Sequence, residues 1–190
     1  MSTKTKKNLT KKIQIPQEVS VKMDQNIIVI KSLKGTLQRK ISNPIVDVSI
    51  QDDKIVVSTK QKSSKNNKRM INTIVSHIKN MLEGVKQEYI YKLKIISGHF
   101  PMNVSLEKDT VLVKNFFGEK VPRKAKVLSG VKAEIKGDEI IITSIDKELA
   151  GQTAANIEMA TRITNKDRRV FSNGIFITQK AHKEILWQIY

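Results

Sequence analysis

The chain states one pattern twice, and that constrains its fold more than any other feature. Pro16-Gln-Glu-Val19-Ser-Val21-Lys-Met-Asp24 reads against Pro101-Met-Asn-Val104-Ser-Leu106-Glu-Lys-Asp109, at an offset of 85. Lys31-Ser-Leu33-Lys-Gly35 reads against Lys114-Asn-Phe116-Phe-Gly118 at 83, as if two residues were missing between Asp109 and Lys114. The offset of 85 then returns: Val46-Asp-Val48-Ser-Ile50-Gln-Asp-Asp53-Lys-Ile55 reads against Val131-Lys-Ala133-Glu-Ile135-Lys-Gly-Asp138-Glu-Ile140. A period of this length makes each copy one small folding unit.

In the first copy, Val19, Val21, Ile50 and Ile55 alternate with polar residues, as half-buried strands do. Gln51-Asp52-Asp53 and Lys136-Gly137-Asp138 sit where hairpin turns belong. Asp52 and Asp53 therefore read as turn residues rather than a catalytic carboxylate pair. Gly35 and Gly118 read as equivalent turn positions. A helical stripe follows each strand group. In the first copy it is Ile71, Ile74, Val75, Ile78, Met81, Leu82 and Val85, with Gly84 as the stop. In the second it starts near the N-cap Asp146 and runs through Leu149, Thr153, Ile157 and Ala160. Ala150, Gly151, Ala154 and Ala155 let that helix lie close to its sheet. The expected fold class is α+β: two tandem homologous modules, each a small, mostly antiparallel sheet with one helix across a face. The boundaries read as a basic flexible tail at 1–9, a first module at 10–86, a short linker at 87–90, a second module at 91–180 and an extension at 181–190.

Composition narrows the function. The 190 residues carry a formal net charge of +17. Such a chain attracts polyanions, nucleic acid foremost. Its lysines and arginines fall in four runs with few balancing acids. These are residues 1–12, residues 60–69 (Lys60, Lys62, Lys65, Lys68, Arg69), the group Lys120, Arg123, Lys124 and Lys126, and the group Arg162, Lys166, Arg168 and Arg169. There is no cysteine, which removes disulfides and thiolate chemistry. No apolar run approaches a membrane span and the N-terminus has no apolar signal region, so the chain reads as soluble and intracellular.

No catalytic constellation appears. His77, His99 and His182 lack metal-ligand spacing, and no phosphate-cradling glycine loop or nucleophile elbow is present. An RNA-processing enzyme and a membrane protein held by its polybasic tail are the competing classes. The first lacks its acid–base groups, the second an amphipathic basic helix or lipidation motif. No cofactor is implied. Phe116-Phe117 is the only adjacent aromatic pair, and one of the two is expected in the core. Recognition should then rest on phosphates and RNA shape rather than on bases stacked on a sheet. The strongest segment is Asn165-Lys166-Asp-Arg168-Arg169-Val-Phe171-Ser-Asn173-Gly174, between the second helix and a closing strand, Ile175-Phe-Ile177. A loop held between helix and strand can present Lys166, Arg168 and Arg169 to phosphate oxygens as a fixed fan.

That segment, with Ile163, Lys166, Arg169, Phe171, Gly174, Ile175, Ile177 and Lys180, resembles the signature of the large-subunit ribosomal protein six family, in its archaeal and eukaryotic branch. Met159, Asn173 and Phe176 stand where the branch usually has glutamine, aspartate and tyrosine. Gly35-Thr-Leu37, Ser76-His77-Ile-Lys-Asn80-Met81-Leu-Glu-Gly84-Val85, Tyr91-Lys92, His99-Phe-Pro-Met-Asn-Val104 and Asn115-Phe-Phe-Gly-Glu-Lys120 carry the resemblance along nearly the whole chain. The resemblance implies a non-enzymatic constituent of the large ribosomal subunit, in the cytoplasm, with nucleolar assembly in a eukaryote. Its partners would be large-subunit ribosomal RNA near the sarcin–ricin region, neighbouring ribosomal proteins and nearby translation factors, with no membrane. RNA binding would fall mainly to the second module, at Lys120, Arg123, Lys124, Lys126, Arg162, Asn165, Lys166, Arg168, Arg169 and Lys180.

Overall fold

A computed structural model describes residues 9–41, 43–59, 64–98, 101–167, 169–181 and 183–184. Expectations resting on the first eight residues, Lys60, Lys62, His99, Arg168, His182 and the apolar end Ile185–Tyr190 lie outside the described residues. The chain divides into two compact units, 1–87 and 88–190.

The first unit runs β1 (Thr10–Gln14), β2 (Ser20–Asp24), β3 (Ile27–Ser32), β4 (Gly35–Lys40), β5 (Val46–Gln51), β6 (Lys54–Thr59) and α1 (Lys65–Lys86). Its strands form two antiparallel sheets, ordered β1-β6-β5 and β2-β3-β4. The stripe on α1 buries Ile71, Val75, Ile78, Met81, Leu82 and Val85 against Ile13, Ile28, Ile30, Ile55 and Val57. Ser64 caps the helix by accepting from the Asn67 amide, satisfying one of the orphan donors at its start. The expected stop at Gly84 is overrun. The helix continues to Lys86 and ends where Gln87 turns extended. Val85 is fully buried, so packing carries the helix past the glycine. Leu9, expected in the tail, packs against this core, and its carbonyl accepts from the Thr59 amide.

The second unit runs β7 (Tyr89–Ile96), β8 (Asn103–Glu107), β9 (Thr110–Lys114), a 3-10 turn (Phe116–Gly118), β10 (Arg123–Lys126), β11 (Lys132–Lys136), β12 (Glu139–Ser144), α2 (Lys147–Ala160), β13 (Gly174–Lys180) and β14 (Lys183–Glu184). Its sheets are β11-β12-β7-β13-β14 and β10-β9-β8. Strand β7 begins inside the stretch expected as linker, because Tyr89 is buried and pairs with Ser144. Asp146 caps α2, accepting from the Glu148 amide. The small residues do what their size suggests: Ala150 and Ala154 are fully buried, and a Cβ on Gly151 would stand 3.0 Å from the Tyr91 hydroxyl.

Hydrogen bonds locate the true correspondences. The Ile15 amide donates to the Asp53 carbonyl and Ile95 to Asp138; likewise Ile41 donates to Asn26 and Val127 to Asp109. Ile50 pairs with Ile55 as Ile135 pairs with Ile140, so those two isoleucines hold one position, and Asp52 and Gly137 occupy the same positive-φ turn site. Elsewhere the sequence alignment is corrected. The β2–β3 turn centres on Gln25 (φ 50°) and the β8–β9 turn on Lys108 (φ 50°), which places Val21, not Val19, on Val104. Pro16 and Pro101 are therefore not equivalent. A slip of two residues leaves every side chain of a strand on its original face, so alternation cannot reveal it. Gly35 and Gly118 are not equivalent either. Gly35 pairs with Ser32 across a two-residue turn, whereas Gly118 closes the 3-10 turn of an eight-residue connection, 115–122.

Candidate nucleic-acid interface

The connection 115–122 and the loop between α2 and β13 build one site. Phe116 leaves the end of β9 and is buried, while Phe117 stays half-buried beside it, ring centroids 4.8 Å apart. The turn is tight enough to put Asn115 and Phe117 in the left-handed region, at φ 59° and φ 50°. Phe117 then meets Phe171 of the α2–β13 loop edge to face at 5.7 Å. Lys166 sits above this aromatic pair, its Nζ 5.0 Å from the Phe171 centroid and 5.4 Å from that of Phe117. The rings hold the ammonium through their negative faces while leaving it exposed.

Arg123, expected as a phosphate contact, is spent on the protein itself. Its Nε and Nη2 donate to the two carboxylate oxygens of Glu119, at 2.8 and 2.6 Å. Its Nη1 donates to the carbonyls of Ala160 and Arg162, at 3.0 and 3.2 Å. The guanidinium lies 4.1 Å from the Phe116 centroid. One side chain thus ties the 115–122 connection to the end of α2 and the start of the loop, and answers carbonyls that a helix end leaves without partners. The hydrogen bond from Arg123 holds the Glu119 carboxyl below its ordinary range.

The far end of the loop is pinned from below. Buried Thr161 accepts the Ile175 amide on its Oγ1 (2.9 Å), Glu158 accepts the Ile177 amide (3.0 Å), and buried Asn173 accepts the Gly98 amide on its Oδ1 (2.9 Å). At the tip, Asp167 accepts from the Arg169 amide at 2.9 Å and from its Nε at 3.2 Å; the amide bond first, then the side-chain bond, lowers the Asp167 carboxyl pKa. The Arg169 side chain remains 91% exposed, so the pair steers it without covering it.

The expected site residues separate. Lys120, Arg162, Asn165, Lys166 and Arg169 are exposed on the two tied segments, with Asn165 in the left-handed region at φ 57°. Lys124 and Lys126 project from the outer face of β10, alternating with buried Ala125. Lys180 ends β13, six residues beyond Gly174 and so about 20 Å from the loop. Sequence reasoning missed Glu119, Phe117 and Phe171 as parts of the site. Each lies within a segment it had singled out, but nothing in a linear pattern says that the two segments meet. Among the described residues no group of His, Asp or Glu could hold a metal ion, and no helix is long and apolar enough to cross a membrane.

A family model described as Ribosomal protein L6 matches this chain twice, over residues 15–88 and 100–174. The chain belongs to the ribosomal protein L6 family. Its similarity to archaeal relatives covers about nine-tenths of its length. It is 43% identical over 176 residues to the large ribosomal subunit protein uL6 of Methanococcus vannielii, covering 92% of this chain and 96% of the relative. It is 41% identical over 175 residues to the uL6 protein of Methanosarcina mazei (92% and 99%) and 42% identical over 172 residues to that of Methanobrevibacter smithii (90% and 96%). The second L6 match ends at Gly174 and so takes in the whole Arg123-tied loop. Two residues that depart from the branch's usual pattern have simple places there. Asn173 supplies through its amide oxygen the acceptor that an aspartate would offer, and Met159 faces outward, 65% exposed.

Proposed function

We propose that this chain is a structural, non-catalytic constituent of the large ribosomal subunit that binds ribosomal RNA through its second module. The observation that carries the reading is the loop 161–173. A side-chain clasp, an aromatic pair and two amide bonds, accepted by Thr161 and Asn173, hold its ends, and Lys166 and Arg169 are still presented to solvent. A loop with free ends would lose much of its phosphate-binding energy to ordering; this one has both ends fixed beforehand. The charge of +17 supplies the general attraction, and the likeness over 92% of the chain to a protein named for the large subunit supports the assembly. Lys120, Arg162, Asn165, Lys166, Arg168 and Arg169 form the centre of the contact, Lys124 and Lys126 flank it, and Lys180 lies apart. Arg123 orders the site instead of touching phosphate. The RNA face is that of the sarcin–ricin region, in the cytoplasmic subunit, with translation factors and other ribosomal proteins as neighbours.

Titration of the full chain with large-subunit RNA over a range of salt tests this. Replacing Lys166 and Arg169 by alanine should lower the slope of log K against log salt by about 1.4–1.8, two phosphate contacts' worth. The same change at Lys65 and Lys68, exposed on α1, should leave the slope nearly unaltered. Equal losses from both pairs would mean binding through general charge, and the loop would not be the site.

A further inference from the structure

The first module carries an open site that the second has closed. A cavity of about 360 Å³ lies between β4 and α1. Its floor is aliphatic, with Ile28, Ile74 and Ile78; Met70 stands at its edge, 36% exposed. Its rim carries Arg39, Lys40 and Arg69, and none of its lining residues is acidic. Strand register explains the opening. Arg39 pairs with Ile28 as Ala125 pairs with Val111, so the two residues hold one position. Ala125 is buried, and α2 closes over that strand, with Thr153 accepting the Leu128 amide. In the first module the same inward position is filled by an arginine whose Nη2 donates to His77 Nε2 across the gap, at 3.3 Å. The guanidinium bridges from β4 to α1 instead of filling the space between them, and the cavity lies beside that bridge.

We infer that this cavity docks a protein segment that presents one or two large apolar side chains flanked by carboxylates. The chemistry selects that partner. The apolar lining, Ile28, Ile41, Met70, Ile74 and Ile78, is aliphatic and suits a buried apolar side chain, whereas a nucleobase seated on it would have only Asn43, Thr73 and the Arg39–His77 pair to answer its polar edge. A leucine or phenylalanine loses nothing there. The rim of arginine and lysine pairs with carboxylates and disfavours a basic segment. The site goes beyond RNA binding and uses the module that the RNA reading leaves free.

The test titrates the isotopically labelled full chain with a capped peptide whose Leu-Phe pair is flanked on each side by two glutamates. Saturable amide shifts should centre on Met70, Thr73 and Ile74. A peptide with Ser-Ser in place of Leu-Phe should bind at least about tenfold more weakly. Met70→Glu and, separately, Arg39→Ala should each weaken the Leu-Phe peptide by a similar factor; circular dichroism checks that both variants fold. Equal binding of the two peptides, shifts centred elsewhere, or a decauridine RNA that moves the same amides at lower concentration would each overturn the proposal. None of these outcomes bears on the loop variants of the second module, which report on RNA separately.

Discussion

Leu33 and Phe116 align in sequence, yet one is wholly exposed at 101% and the other buried at 1%. The contrast captures how two copies of one module came to differ. Both keep the strand order, the hairpin register and the helix. The first closes β3 to β4 with a two-residue turn; the second uses eight residues and drives Phe116 into the core. Leu37 pairs with Ile30 as Arg123 pairs with Val113, so an apolar core position in the first module has become the clasp of the second. Two positions along, the exchange runs the other way, with Arg39 against Ala125. The duplicated scaffold tolerates an inward arginine at either position, provided something local answers it: Glu119, two carbonyls and a ring in one case, His77 and an open cavity in the other. Each exchange places an arginine at a different point along the same inward strand face.

The largest expected effect sets Phe116 against Leu33. Phe116→Ala should destabilise the second module by about 3–5 kcal/mol through lost burial and the cavity left behind. Leu33→Ala should change stability by no more than about 0.5 kcal/mol. Denaturant unfolding measures both, and similar costs would erase the distinction between the two connections.

Next comes the clasp. Arg123→Lys keeps the charge but loses the fork that reaches Glu119 and both carbonyls. A loss of about 1–2 kcal/mol is expected, together with weaker RNA binding at an unchanged salt slope. A slope lowered by about 1 would instead make Arg123 a phosphate contact. Leu37→Met, at the equivalent position, should cost less than about 1.5 kcal/mol and leave RNA affinity alone.

The helix caps offer a comparison in which the modules should agree. Ser64→Ala and Asp146→Ala each remove one acceptor from an orphan amide and should each cost about 1 kcal/mol. Widely unequal losses would show that one helix rests on its cap far more than the other does.

The smallest effect is in pH. Glu119 has its pKa lowered by Arg123, so its contribution is present above the ordinary carboxylate range and is lost as pH falls through the lowered value. Amide exchange in the loop should therefore speed up at acid pH relative to the first module. Glu119→Gln should remove that component of the pH dependence; an unchanged profile in the variant would mean that other carboxylates set it.

The sequence by itself determined the duplication, the α+β class, the helix stripes, the N-cap at Asp146 and the hairpin position shared by Ile50 and Ile135. Periodicity and turn chemistry are local, and they survive being read along a line. It also picked out the loop 165–174 and the connection near Lys120, since runs of charge without counter-charge show in composition. It could not place Pro16 against Pro101, because a two-residue slip is invisible to a two-residue period. Nor could it see that Arg123 faces inward onto Phe116 and ties two segments that stand 37 residues apart at Ala160. Only the tertiary structure decided which cations are free and which are spent. A charge declares itself in the sequence, but its partner is whatever the folded chain brings within hydrogen-bonding reach.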